Sequence, residues 1–201
     1  LSYNGPLTLA TGSAITPINP SINTGTAGSG GVTYSISPSL TALTGLTFNT
    51  STGVISGTST ALLSTTFTVT AITAYGSTST SFSLQVGAVP SALSYPNAAY
   101  QFWRGDAISN ITPTITNGTG ATTFSAAGLP AGLTIDPISG TIYGIPSTAQ
   151  AAGTATITAS NTYGAAIYTI SFAIFAPPTI SYNTANSYTT SQTNITLSPI
   201  I

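Results

Sequence analysis

Histidine, cysteine, methionine, lysine and glutamate are all missing from the 201 residues of this chain. Arg104, Asp106 and Asp136 are its only charged side chains, 1% of residues against a norm of about 25%. Each absence removes a chemistry. Without imidazole, thiol or amine there is no Ser-His pair, no Cys-His pair and no Schiff-base lysine. Two carboxylates remain, but a glycosidase pair must flank one bond, and Asp106 and Asp136 lie in different parts of the chain's second half. Zinc and copper lack their usual ligands, and calcium needs several converging acidic oxygens. One arginine is not a patch for nucleic acid. The expectation is a chain that is not an enzyme, with no cofactor, no metal site and no nucleic-acid partner.

Other absences bear on architecture. Without cysteine there are no disulfides, so cores and hydrogen bonds must hold the fold. No apolar run approaches the ~18 residues of a membrane-spanning helix. No targeting segment is visible from Leu1 onward. No stretch carries the 3.6-residue period of an amphipathic helix, so strands and turns are expected throughout.

What is present is hydroxyl, β-branched side chains and repetition. About a third of the residues are Ser or Thr, which must do the wetting that charge usually does. A mean hydropathy of +0.37 argues against disorder. The stretch from Gly45 to Gly57 has a twin from Gly132 to Gly144. Gly45/Gly132, Leu46/Leu133, Thr47/Thr134, Gly53/Gly140, Ile55/Ile142 and Gly57/Gly144 are identical pairs, each 87 residues apart. A fixed period of this kind marks tandem copies of one unit. Each twin reads as a β-hairpin: a short strand, a turn of Asn, Asp, Ser, Pro and Gly closing a loop of about three to five residues, and a second short strand.

The rest of each copy follows the same plan. Prolines at 6, 17 and 20 make the opening segment an interrupted edge. Asn23 to Gly31 is a polar loop. Val32, Tyr34 and Ile36 alternate with hydroxyls, as do Phe67, Val69 and Ala71, and Phe82, Leu84 and Val86 after a turn at Tyr75-Gly76. In the second copy Ala155, Ile157 and Ala159 alternate, Tyr163-Gly164 turns, and Tyr168, Ile170, Phe172 and Ile174 form the last strand. Seven or so short strands in about 90 residues describe an immunoglobulin-like sandwich. The expected layout is a sandwich over 1–88, another over 89–176, and in 177–201 either the opening strands of a third repeat or a strand donated to a neighbour. Ile180-Ser181-Tyr182 and Ile195 to Pro199 carry that last reading. The joints at Gly87–Ala92 and Phe175–Thr179 are short and hold Pro90, Pro177 and Pro178, so neighbouring units should stand end to end.

Particular motifs point to a family. Leu129-Pro130-Ala131-Gly132-Leu133, then Ser139 to Pro146, then Asn161-Thr162-Tyr163-Gly164 resemble the signature of the immunoglobulin-like family found in tandem in bacterial surface proteins, related to dystroglycan-type cadherin-like domains. The first copy matches with Gly45-Leu46-Thr47, Ser51 to Thr58 and Ala74-Tyr75-Gly76. The resemblance implies spacer modules of a long extracellular adhesin, fibre or appendage at the cell surface. Cadherin-like relatives bind calcium through acidic clusters; this chain has none, and calcium is not carried over.

Candidate contacts are few. Arg104-Gly105-Asp106 spells a tripeptide that some animal integrins read, beside the sole tryptophan, Trp103. The alternative is a turn glycine flanked by a surface ion pair of little energetic weight. Tyr100, Phe102 and Trp103 form either an aromatic contact or, for at least one of them, core. Asn49, Asn110, Asn117 and Asn194 head glycosylation sequons. The edge strands lack the lysines that usually discourage edge-to-edge pairing, which suggests flanks covered by sister chains in a homo-oligomer, through lateral packing or strand addition. Stalk and packing scaffold is therefore the leading functional reading. A glycan- or receptor-binding adhesion module, and an accessory domain of a secreted hydrolase, are the alternatives. With so little charge to screen, the melting temperature should stay within a degree or two between low salt and ~1 M NaCl; calorimetry at two ionic strengths checks this.

Overall fold

The computed structural model describes residues 1–4, 7–23, 31–40 and 45–181. Most of the Asn23–Gly31 loop, Pro6, Asn194 and the tail from Tyr182 onward, with its third-repeat and donor-strand readings, lie outside the described residues. Every regular element among those described is a strand. The first repeat contains β1 (Leu7–Ala10), β2 (Thr33–Ser37), β3 (Leu46–Phe48), β4 (Ile55–Gly57), β5 (Leu63–Thr73) and β6 (Gly76–Gly87). The second contains β7 (Ser91–Ser94), β8 (Ala99–Trp103), β9 (Thr114–Thr116), β10 (Thr123–Ala127), β11 (Leu133–Ile135), β12 (Ile142–Gly144), β13 (Gln150–Asn161) and β14 (Gly164–Phe175).

The main sheet of the first repeat has the order β1-β6-β5-β2, and that of the second reads β8-β14-β13-β10 in the same sense. In both, the long hairpin is antiparallel, one flank is antiparallel to it, and an early strand, β1 or β8, lies parallel to the last. The parallel pairing was not foreseen from the sequence. The opposing layer is smaller: the hairpin β3–β4, bridged by Ile18 with Ala14 bridging Thr58 just beyond it, and the hairpin β11–β12, bridged by Ile111, with β7 pairing β9 beside it.

Period-two alternation fills two separate cores. Phe67, Val69 and Ala71 meet Phe82, Leu84 and Val86 in one; Ala155, Ile157 and Ala159 meet Ile170, Phe172 and Ile174 in the other. The bulk is placed differently in the two. In the first, Phe67 stacks on its cross-strand partner Phe82 with centroids 5.8 Å apart. In the second, Ala155 faces Ile170, and Phe172 is packed instead by Tyr100 and Phe102 from β8, where the first repeat has Leu7 and Leu9. Keeping total volume while moving it between strands is the kind of change a core tolerates. It also absorbs two of the three aromatics weighed as a surface contact.

The repeated hairpins earn their identical glycines. Asn49 Oδ1 accepts from the N–H groups of Ser51 and Thr52, both at 2.9 Å; Asp136 Oδ1 accepts from Ile138 at 3.0 Å and Ser139 at 2.7 Å. These bonds, with another from the Ser139 hydroxyl, hold the Asp136 carboxyl below its ordinary range. Gly53 (φ +73°) and Gly140 (φ +71°) close the loops in the left-handed region. A Cβ on Gly140 would stand 2.6 Å from the Phe124 ring and 2.8 Å from Pro113. Each of these glycines also presents its carbonyl to a buried tyrosine: Tyr3 donates to Gly53, and Tyr95 to Gly140 at 2.6 Å. The loops cover an edge as well. The N–H of Tyr34 on edge strand β2 donates to Thr50 at 2.7 Å, and that of Phe124 on β10 to Pro137 at 2.9 Å. Part of the edge that looked bare in the sequence is thus closed by the chain itself.

Burial pushes both Tyr3 and Tyr95 from the ordinary 10.0 up to about 12. Folding therefore favours the protonated phenols, and the stability they lend is complete below the unfolded value and is lost as pH climbs from there through the folded one. Thermal melts should be nearly flat from pH 5 to pH 9 and fall steeply from pH 10 to pH 12. Tyr3→Phe with Tyr95→Phe should lower the neutral-pH melt, by about 1 kcal/mol per lost hydrogen bond, and flatten the alkaline fall. Circular dichroism across that range measures both effects.

Candidate functional site

No cluster of three or more His, Cys, Asp or Glu capable of holding a metal occurs among the described residues. Among the described residues, side chains converge on something other than their own core at the joint between the repeats and at the far end of the second one.

At the joint, β6 ends at Gly87 and the chain passes through Ala88, Val89 and Pro90 into β7. The Ala88 N–H donates to Thr119 Oγ1 at 2.9 Å, while its carbonyl accepts from the Thr119 N–H and from Asn161 Nδ2, both at 2.9 Å. Asn161 uses its whole amide. Nδ2 also reaches the Thr119 carbonyl at 3.0 Å, and Oδ1 caps the turn by accepting from Tyr163 and Gly164 at 2.9 and 3.1 Å. The Tyr163 ring packs against Gly87, where a Cβ would stand 2.2 Å from it. Gly118 is held as tightly: a Cβ there would lie 2.2 Å from the Ala88 carbonyl oxygen. The linker is therefore bolted to two loops of the second repeat, a stronger statement than its proline content allowed.

The same turn in the first repeat is built without the bolt. Thr73 stands where Asn161 does; its hydroxyl accepts from Tyr75 at 3.2 Å and donates to the Gly76 carbonyl at 3.1 Å, closing on itself. Tyr75 is 73% exposed, whereas Tyr163 is half-buried.

At the far end, β8 runs into Arg104-Gly105-Asp106. The Arg104 N–H donates to Phe175 at 2.8 Å and the Gly105 N–H to Pro146 at 2.9 Å, so the triplet is a fixed turn with Gly105 at φ +94°. The Arg104 and Asp106 side chains are exposed. Trp103 remains outside the core, 51% exposed, against Phe175, with centroids 5.6 Å apart. The structure thus brings Trp103, Arg104 and Asp106 together and places Asp136 separately in a hairpin turn. Asn49, Asn110 and Asn117 are exposed. The Asn49 carboxamide oxygen is already engaged by its turn, and Asn117 immediately precedes the joint contacts of Gly118 and Thr119. Sequence reading placed the joint at Gly87–Ala92 but did not find the contacts that hold it. Their signal was the Asn-x-Tyr-Gly of Asn161 to Gly164, against Thr73 to Gly76 in the first copy.

Two β-sandwiches in series, each with its own core, define a tandem immunoglobulin-like protein. The family described as "Putative Ig domain" matches residues 1–87 and again 90–176, and the chain belongs to that family. No curated protein matches the sequence. Among solved structures it is similar to extracellular domains 3–5 of Drosophila OTK, at 11% identity and TM-score 0.59, over 84% of this chain and 58% of that one. It is also similar to immunoglobulin domains 1–4 of Sidekick-1, at 13% identity and TM-score 0.54, over 87% and 48%. The chain therefore spans about half the length of these structures, and the likeness is one of fold. Domains of this kind are typically extracellular and non-enzymatic. No helix among the described residues is long and apolar enough to cross a membrane.

If the amide of Asn161 locks the joint, Asn161→Ala should widen the distribution of distances between spin labels on the two repeats. It should also destabilise the second repeat, by about 1 kcal/mol for each of the bonds lost to Thr119, Tyr163 and Gly164. Gly87→Val, which drives a side chain into the Tyr163 ring, should shift the mean distance as well. Pulsed electron paramagnetic resonance reads width and mean separately.

Proposed function

We propose that this chain is a structural repeat segment of a long extracellular adhesin, fibre or appendage at a bacterial cell surface, serving as stalk and lateral-packing scaffold rather than as an enzyme. The observation that carries the reading is the joint. Ala88 is held by three hydrogen bonds from or to Thr119 and Asn161, and a tyrosine is seated on the glycine beside it. A spacer must resist bending where its modules meet, and there one carboxamide, that of Asn161, ties the linker to two loops of the second repeat.

The scaffold part rests on the surfaces. On the outer face of the first main sheet, Thr66, Thr68 and Thr70 stand opposite Ser83, Ser81 and Ser79, with hydroxyl oxygens 3.4, 2.9 and 2.8 Å apart. An uncharged hydroxyl face neither repels a sister chain nor depends on salt to meet one. Edge strands β2 and β10 keep part of their backbone available for pairing, since the hairpin loops cover them at one residue each among the bonds described.

Sedimentation velocity on the two-repeat chain tests lateral packing. Self-association that rises with concentration and is unchanged by salt is expected. A clean monomer at millimolar concentration would overturn the packing role. The full reading frame tests the stalk role: further repeats of similar period are expected, and a catalytic domain in their place would favour the accessory-domain reading instead.

A further inference from the structure

Two of the three charged side chains in the protein and its only tryptophan sit within four residues of one another, at the same end of the second repeat. Trp103 and Phe175 are register partners on the parallel strands β8 and β14. Their neighbours Phe102 and Ile174 pack in the core, so both rings turn to the outer face, inclined at 53°. The fold does not require them. The first repeat has Ala10 and Gly87 as the corresponding register partners, and builds the same sheet.

Shallow cavities lie on either side of this aromatic ridge. One, about 370 Å³, is lined by Trp103, Arg104, Asp106, Pro177 and Pro178. The other, about 550 Å³, has the amides of Gln101 and Gln150 among alanines and Phe175. We propose that this ridge and its two flanks form a binding site for a neutral, hexose-based oligosaccharide.

The chemistry matches on three counts. The C–H face of a pyranose ring stacks on an aromatic ring, and Trp is the residue most often found carrying contact energy at such exposed anchors. Sugar hydroxyls both donate and accept. The flanks supply carboxamides that do both, a carboxylate that accepts and a guanidinium that donates. One positive and one negative charge two residues apart favour a ligand without net charge over an anionic one. The cavities are open and shallow, suited to a ligand that keeps much of its hydration, whereas an apolar ligand would need an enclosed slot. The site is separate from the joint and from the stalk role, and either can fail without the other.

Because Trp103 is the only tryptophan, its fluorescence reports this site alone. The intact chain is titrated with cello-, manno-, galacto- and malto-oligosaccharides, and with a sulfated oligosaccharide as the charged comparison. A saturable change with at least one neutral series is expected, with dissociation constants between about micromolar and millimolar. Phe175→Ala should weaken it by about tenfold or more, and Trp103→Ala should do likewise by calorimetry. Both positions are exposed, so melts of the variants should match the parent. Three results overturn the proposal: no neutral saccharide producing a saturable change, binding of the sulfated probe alone, or binding unaltered in both variants. A further overturning result is Trp103→Ala changing only self-association in sedimentation, which would make the ridge a protein contact.

Discussion

Each sandwich is organised around one buried hydrogen bond that recurs in both repeats. A tyrosine near the start of the repeat donates to the carbonyl of the glycine that closes the short hairpin: Tyr3 to Gly53, Tyr95 to Gly140. The bond requires a loop tight enough to aim that carbonyl inward, hence a left-handed glycine, and a hole beneath it that admits no Cβ. The glycine in turn fixes where the loop's Asn or Asp must cap, and the capped loop reaches across to bond edge strand β2 or β10. One buried polar contact thereby specifies a turn, a register and the closing of an edge. In a protein without disulfides and almost without ion pairs, such a bond is the main device for choosing one arrangement of two greasy layers.

The scarcity of charge shapes the rest. Solubility is left to Ser and Thr, and on the first main sheet these pair across strands, so each hydroxyl is partly satisfied by its neighbour as well as by water. Specific interactions fall to the backbone and to a handful of amides. Asn161 shows how far one amide goes, with both heteroatoms used twice across three segments of chain. Where the first repeat has Thr73 instead, the turn closes but nothing reaches outward.

The fold was largely legible because it rests on local rules written twice. Alternation at Phe67 to Ala71 and at Ala155 to Ala159 marks half-buried strands, and the paired glycines mark the hairpins. The membership in a tandem immunoglobulin-like family follows from the same residues. What stayed hidden depends on contacts between distant segments. The parallel seating of β1 and β8 leaves no mark in a four- or five-residue strand. The joint unites Ala88 with residues 31 and 73 positions further on, and neither spacing is periodic. The aromatic run Tyr100 to Trp103 could not be divided into core and surface by composition. It took the missing bulk at Ala155 to explain why Tyr100 and Phe102 turn inward and Trp103 does not.

The departures from repetition are where the end surfaces of the two modules differ. An array of equal modules would need only one kind of end surface, and the first repeat has the simple one: Gly87 bare enough for a tyrosine ring to lie on it. The second repeat closes its last strand with Phe175 and sets Trp103 beside it. A tyrosine loop like that of Tyr163 cannot settle there in the same way, because the Phe175 side chain occupies the place the ring would take. Whatever meets that surface must accommodate two tilted aromatic rings with an arginine and an aspartate at their margin. The two ends of the second module are thus unlike: one is held to its neighbour by hydrogen bonds to the linker, and the other carries two exposed aromatic rings.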